Sequence, residues 1–364
     1  VLAAGLGTVL ATVPGGARAQ PQDGPGLGTI ARERRCTFGA AAQAGRLGRD
    51  ALSARAFAAE CALLVPEYEG KWAALQPTEG RFDPAPLQAL VDWGREHGIP
   101  VRGHALVWHN ALPDWVPAAL AEGPQRARAV MEAHIGAVLD RFRDTIRDWD
   151  VVNEAVANPP GSDIPQNSGE LRDTPWLRAL GPSYIGLALR LARERDATLR
   201  LTLNDYGVEE AIPACDEKRR RLLALVRGLR RDNVPLDAVG IQAHLQMDRP
   251  FNGAVLTAFL RDLRAEGVEV LVTELDVREG ARIPEGYAAR DRLVAERVRA
   301  FADAALAGGV RTIMTWGLID RDSWLASDPG VARRDNLHHR GLPLDWEGNR
   351  KPYWQALADA FRAV

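Results

Sequence analysis

Eight short apolar runs, each followed by a longer amphipathic segment, restrict the fold of this chain more than any other feature. They cover residues 36–40, 62–67, 101–108, 149–153, 200–204, 239–244, 268–274 and 311–316. Such runs suit strands buried on both faces, and the segments between them carry apolar residues at helical spacing. Several of those segments end in glycine just before the next run, as at Gly98, Gly267 and Gly308-Gly309. Glycine there closes a helix in a left-handed turn. Strand and helix in alternation predict a parallel sheet, and eight strands predict that it closes into a single (β/α)8 TIM barrel of the α/β class over residues 31–364. An open doubly wound sheet is disfavoured, because no GxGxxG turn follows the first run. Nor does a Ser/Thr/Pro-rich linker or an internal repeat announce a further module.

Ahead of the barrel, residues 1–13 are almost wholly small and apolar, and Ala17-Arg18-Ala19 precedes Gln20. That pattern predicts a signal peptide over residues 1–19, truncated at its start, and hence export to the periplasm or the medium. The run is too short to span a bilayer. Residues 20–30 read as a flexible lead-in. The 46 basic residues nearly balance the 48 acidic ones, which gives a formal net charge of -2. A chain so balanced offers no electrostatic footprint for nucleic acid or an anionic membrane, so a neutral partner is expected. Cys36, Cys61 and Cys215 are too few and too scattered for a disulfide scaffold or a zinc site. Cys36 and Cys61 fall on neighbouring expected strands, and either one bridge between them or buried free thiols fit the pattern.

In a barrel of this kind the reacting groups sit where strands end. Glu67, His104 with Trp108, Asn153 with Glu154, Asn204 with Asp205, Gln242 with His244, and Glu274 with Asp276 all fall at such ends. Residues two apart on a strand share a face, so Glu274 and Asp276 point together, Gln242 and His244 likewise, and adjacent strands bring His244 toward Glu274. A histidine hydrogen-bonded to a carboxylate favours its ionised form, as a nucleophile requires. Glu154, on a different strand, would be the proton donor, with repulsion from Glu274 raising its pKa. Two such carboxyls make a site that cleaves glycosidic bonds. Adjacent residues on a regular strand face opposite ways, so either Asn153 or Glu154 must lie past the end of the ladder. His104 and His109 would face oppositely, so chelation by that pair is not expected, and neither is any metal or cofactor.

At these residues the chain resembles the glycoside hydrolase family 10 endo-β-1,4-xylanases, from about Thr29 onward. The matching segments run in order through Lys71-Trp72, Arg102 to His109, Leu112-Pro113-Asp114-Trp115, Trp149 to Ala155, Asn204-Asp205-Tyr206, Gly240 to His244, Thr273 to Asp276, Trp316-Gly317 with Asp320, Ser323-Trp324 and Lys351-Pro352. The resemblance implies a retaining double displacement on xylan. Glu154 is then the acid/base and Glu274 the nucleophile, their carboxyls about 5 to 5.5 Å apart. It also implies that Asn153 meets the sugar 2-hydroxyl, that His244, Gln242 and Asp276 support the nucleophile, and that Glu67, Lys71, His104 and Trp108 line the glycone side. Trp316 and Trp324 would form its aromatic wall, with Tyr206 on the aglycone side. A monomer without cofactor, acting on xylan and xylo-oligosaccharides, is the expectation. Flat indoles beside long polar side chains suit uncharged pyranose rings.

Three positions depart from the family pattern. Tyr68 and Gly207 stand where it has asparagine, and Ala111 where it has glutamine. A relative cutting β-glucan or mannan, or a silent sugar-binding barrel, are the alternatives these departures leave open. Trp72, Trp149 and Trp354 read as core, and the basic segment 218–231, broken by leucines at helical spacing, reads as the solvated face of an outer helix.

Overall fold

The computed structural model describes residues 24–364 except 167, 168, 285, 334 and 336. The expected signal segment lies outside the described residues. Among them nine strands are present: β1 Thr37–Ala42, β2 Leu64–Pro66, β3 Gly103–Val107, β4 Asp148–Asn153, β5 Arg200–Asp205, β6 Ala238–Ile241, β7 His244–Gln246, β8 Glu269–Arg278 and β9 Thr312–Thr315. All pair in parallel, in the order β2-β1-β9-β8-β6-β5-β4-β3 with β7 beside β8. A parallel bridge between Leu64 and Val101 closes the ring. There the Leu64 N–H donates to the Pro100 carbonyl (2.9 Å) and the Arg102 N–H to the Leu64 carbonyl (2.8 Å). The expected barrel is therefore present, with the run 239–244 divided into β6 and β7 at Ala243. Gly98, Gly267 and Gly309 take φ of +68°, +81° and +93°, as the helix-closing reading requires.

The lead-in expectation fails over residues 27–30. Leu27–Glu33 is a helix whose Leu27 and Ile30 are buried, and it packs on the C-terminal helix Pro352–Arg362. The glycines that read as flexibility allow close approach instead. A Cβ on Gly26 would lie 1.9 Å from the Ala59 carbonyl oxygen, and one on Gly28 2.8 Å from the Ala62 nitrogen. Trp72, Trp149 and Trp354 are core as expected, and the three cysteines are buried free thiols. No helix among the described residues is long and apolar enough to cross a membrane.

Trp72 stacks on His134 with ring centroids 3.6 Å apart. Burial lowers the His134 pKa from 6.5 to about 3, and its Nδ1 lies 3.0 Å from the Gln76 side-chain oxygen. The unfolded chain takes up this proton near pH 6.5, whereas the folded protein resists it until about 3. The resulting stability is whole above pH 6.5 and is lost as pH falls below it, by about 1 kcal/mol per pH unit. Urea midpoints measured from pH 7 to pH 5 should therefore fall, and fall less steeply in His134→Gln.

Candidate active site

The expected site residues lie at the C-terminal mouth of the barrel or in the loops that leave it, except His104, which is the second residue of β3 rather than its end and joins the group through its ring contact with Trp316. Asn153 ends β4, and the next residue, Glu154, has φ +59° while its N–H still donates to the Asn204 carbonyl (2.8 Å). This left-handed step past the ladder turns both side chains inward, and the Asn153 Nδ2 comes within 3.5 Å of Glu154 Oε1. A non-glycine residue in this conformation costs about 1 to 3 kcal/mol and persists only where its surroundings enforce it.

Side chains from β4, β5, β7 and β8, with Gln242 from the link between β6 and β7, knit the two carboxyls together. Asn204 Nδ2 donates to Glu274 Oε1 (2.7 Å) and to Asn153 Oδ1 (2.9 Å), while the Thr273 hydroxyl donates to Asn204 Oδ1 (2.7 Å). Gln242 Nε2 reaches both Asn153 Oδ1 (3.2 Å) and Glu154 Oε1 (3.3 Å). His244 stands between two carboxylates, its Nε2 3.2 Å from Glu274 and its Nδ1 2.9 Å from Asp276. The Trp324 indole N–H donates to the other Asp276 oxygen (2.6 Å).

These contacts drive the two glutamates apart in acidity. Burial raises Glu154, with Asp205 and Glu274 adding to it and Arg172 and the Trp108 N–H opposing it. Repulsion from Glu274 therefore contributes, as expected from sequence, but desolvation dominates. Burial acts on Glu274 too, yet the His244 hydrogen bond and the charges of His104 and His244 outweigh it and hold that carboxyl below its usual range. His244 loses stability as a cation through burial but gains more from Asp276 and Glu274, so its pKa rises well above 6.5. The site thus favours the protonated form of Glu154 and the ionised form of Glu274.

On one side of the pair lie Glu67, Lys71, His104, Trp108 and Trp316. Lys71 Nζ sits 4.8 Å from the Trp108 ring centre and 5.6 Å from that of Trp316. The His104 ring packs edge-on against Trp316 at 5.3 Å, and its Nδ1 meets Asp150 (2.9 Å), which Arg102 holds through two bonds of 2.5 Å. Gln43 donates to Glu67 (3.0 Å). On the other side the Tyr206 hydroxyl accepts from Asn158 (2.8 Å) and Arg172 (2.9 Å). The expected grouping is thus assembled in space.

Sequence reading missed Arg172 and Lys218. Arg172 Nε donates to the Glu154 carbonyl (2.8 Å), and its Nη2 lies 3.9 Å from the Glu154 carboxyl. Lys218 overturns the solvated-face reading of segment 218–231 at its start. Its side chain is 1% exposed, pairs with Asp205 (2.9 Å), donates to Asn158 (2.7 Å) and lies 3.9 Å from the Tyr206 ring centre. Arg219 is buried beside it, while Arg220 faces solvent. The helix Pro213–Arg231 begins over the barrel mouth, so its first turns face inward on more than the leucine stripe. A signal was available: of the chain's 46 basic residues only Lys71, Lys218 and Lys351 are lysines. Each sits enclosed beside carboxyls. Where arginine serves the surface, a lone compact ammonium marks a tight pocket.

The three departures have physical settings. Tyr68 is 51% exposed on the loop after β2, its ring centre 5.8 Å from Lys71 Nζ. Ala111 takes φ +50°. Gly207 takes φ +75°, and a Cβ there would lie 3.4 Å from the Lys218 side chain. Among the described residues no group of three or more His, Cys, Asp or Glu is arranged to hold a metal ion.

Comparison with known proteins follows this geometry. The family model described as Glycosyl hydrolase family 10 matches residues 26–360. An endo-1,4-beta-xylanase B of Thermotoga neapolitana is 31% identical over 301 residues, covering 82% of this chain and 80% of that protein. An exoglucanase of Acetivibrio thermocellus is 31% identical over 314 residues, covering 83% of this chain. The chain spans about a quarter of the length of the long curated relatives it matches, 25% and 26%. Among solved structures, xylanase 10B from Thermotoga petrophila in complex with xylobiose superposes with a TM-score of 0.83 at 27% identity, covering 94% of this chain and 99% of that one.

Proposed function

The chain belongs to glycosyl hydrolase family 10, and from that membership we propose that it is a retaining endo-1,4-β-xylanase with Glu274 as nucleophile and Glu154 as acid/base. The observation that carries this reading is the linkage of two carboxyls through Asn153, Asn204 and Gln242 at one barrel mouth, in surroundings that shift their acidities in opposite directions. In the first step the Glu274 carboxylate attacks the anomeric carbon while Glu154 protonates the departing oxygen. Glu154 then deprotonates the water that releases the glycosyl group, with net retention. In this reading Asn153, held by Asn204 and Gln242, meets the sugar 2-hydroxyl, where a contact strengthens as the oxocarbenium ion develops.

Glu67, Lys71, His104, Trp108, Trp316 and Trp324 serve the glycone sugars in this reading, and Tyr206 the aglycone. Action as a monomer is part of this proposal. Residues 1–19 support export, and recovery outside the cytoplasm of a chain beginning at Gln20 tests that part. The substrate is tested by incubating the protein with xylan, carboxymethyl cellulose and mannan in parallel and measuring reducing ends. Release chiefly from xylan is expected. Release chiefly from carboxymethyl cellulose would favour a β-glucan substrate, the reading supported by the exoglucanase relative, and binding without release would favour a silent sugar-binding barrel.

Arg172 offers a check on the acid/base. Its charge offsets part of the burial that raises Glu154. Arg172→Met should leave that burial less opposed and move the basic limb of the kcat/KM profile to higher pH. An unmoved limb would assign it to another group.

A further inference from the structure

The seat of His244 depends on a slip in register. Strand β6 pairs Ile241 with Val272, whereas β7 pairs His244 with Asp276. Three residues advance on one side against four on the other. Unbroken pairing would set His244 opposite Leu275, and a one-residue slip sends a side chain to the other face. Sequence periodicity thus placed His244 near Glu274 correctly, but the structure reaches that arrangement through the break at Ala243, a non-glycine residue with φ +65°.

Two adjacent buried carboxyls from the loop after β5 grip this break. Glu209 Oε1 accepts the Ala243 N–H (3.0 Å) and its Oε2 the Val208 N–H (2.7 Å). Glu210 Oε1 accepts the Gln246 N–H (3.0 Å), with Cys215 Sγ 3.6 Å from its other oxygen. Arg219 pins the same loop through the Val208 and Glu210 carbonyls. Neither glutamate hydrogen-bonds an expected substrate group, and Glu209 also faces His244 as a charge.

We propose that Glu209 is a positioning residue for the reaction: its carboxylate holds Ala243 in the left-handed turn and thereby seats His244 between Glu274 and Asp276. The inference rests on the reading of Glu274 as nucleophile. Both Glu209 oxygens already accept main-chain N–H groups, so Glu209→Gln must turn an amide N–H against one of them. A displacement of His244 of about 1 Å is enough to cost up to about 100-fold in rate.

The test compares wild type, Glu209→Gln, the double variant Glu209→Gln/Ala243→Gly, and Glu274→Ala on xylo-oligosaccharides across pH. Glu209→Gln is expected to lose about 10- to 100-fold in kcat with little change in KM. The acid limb of its kcat/KM profile should move to higher pH, because Glu274 loses part of the support of His244. His104, Lys71, Arg102, Glu154 and Asp150, the other charged groups around Glu274, are untouched. Glycine adopts the left-handed turn without a side-chain penalty, so the double variant should recover most of the kcat and return the limb. Folding of the double variant where the single one fails would support the proposal equally. A wild-type kcat and limb in Glu209→Gln, or a loss of rate or folding that Ala243→Gly does not restore, would overturn it. Turnover surviving in Glu274→Ala would instead overturn the nucleophile reading beneath it.

Discussion

Glu274→Ala is expected to reduce xylan turnover by about 10⁴-fold or more, because the covalent route closes when its nucleophile is removed. The space left is lined by Asn204 Nδ2, which keeps only its bond to Asn153, and by His244 Nε2, which loses its carboxylate partner there. A small anion such as azide fits that vacancy and takes up the favourable field of His244. Attacking the anomeric carbon from the side the carboxylate used, it should restore cleavage of an activated aryl xylobioside and yield an α-configured glycosyl azide. Product analysis by NMR decides the matter. Activity of the variant without azide, or a β-configured product, would remove Glu274 from the nucleophile's role.

Glu154→Gln is the second large effect, and its size should depend on the leaving group. A departing xylose unit needs a proton, so loss on xylan should reach about 10²- to 10⁴-fold. A dinitrophenol leaving group needs none, so its release should survive as a burst followed by slow turnover, since the glutamine cannot activate water for the second step. The pH profile follows from the two shifts. Glu274, held below its usual range, sets the acid limb, because the nucleophile is lost when it protonates. Glu154, raised by burial, sets the basic limb, because the acid is lost when it ionises. The basic limb should vanish in Glu154→Gln while the acid limb stays. Equal losses on both substrates would argue that Glu154 is structural.

Much of this architecture was legible because it is written at short range. Strand runs, helical stripes and closing glycines such as Gly98 and Gly267 declare themselves within a few residues. A barrel places the ends of its strands at one mouth, so Glu154, His244 and Glu274 stood out as soon as the strands were counted. Arg172 and Lys218 did not, although the scarcity of lysine marked the second. Lys218 reads as one more charge on an amphipathic helix, and only the helix's position over the barrel mouth turns it toward Asp205 and Asn158.

The sequence by itself determined the barrel and the strand-end positions of the two carboxyls, since periodicity and residue type are local properties. Only the tertiary structure decided their ionisation and their aim. The left-handed steps at Glu154 and Ala243 are unfavourable for their own residues and are held by the Asn204 carbonyl and the Glu209 carboxylate, far away in the chain. Desolvation of Glu154 and the seating of His244 likewise arise from many distant groups closing together, which no local pattern encodes.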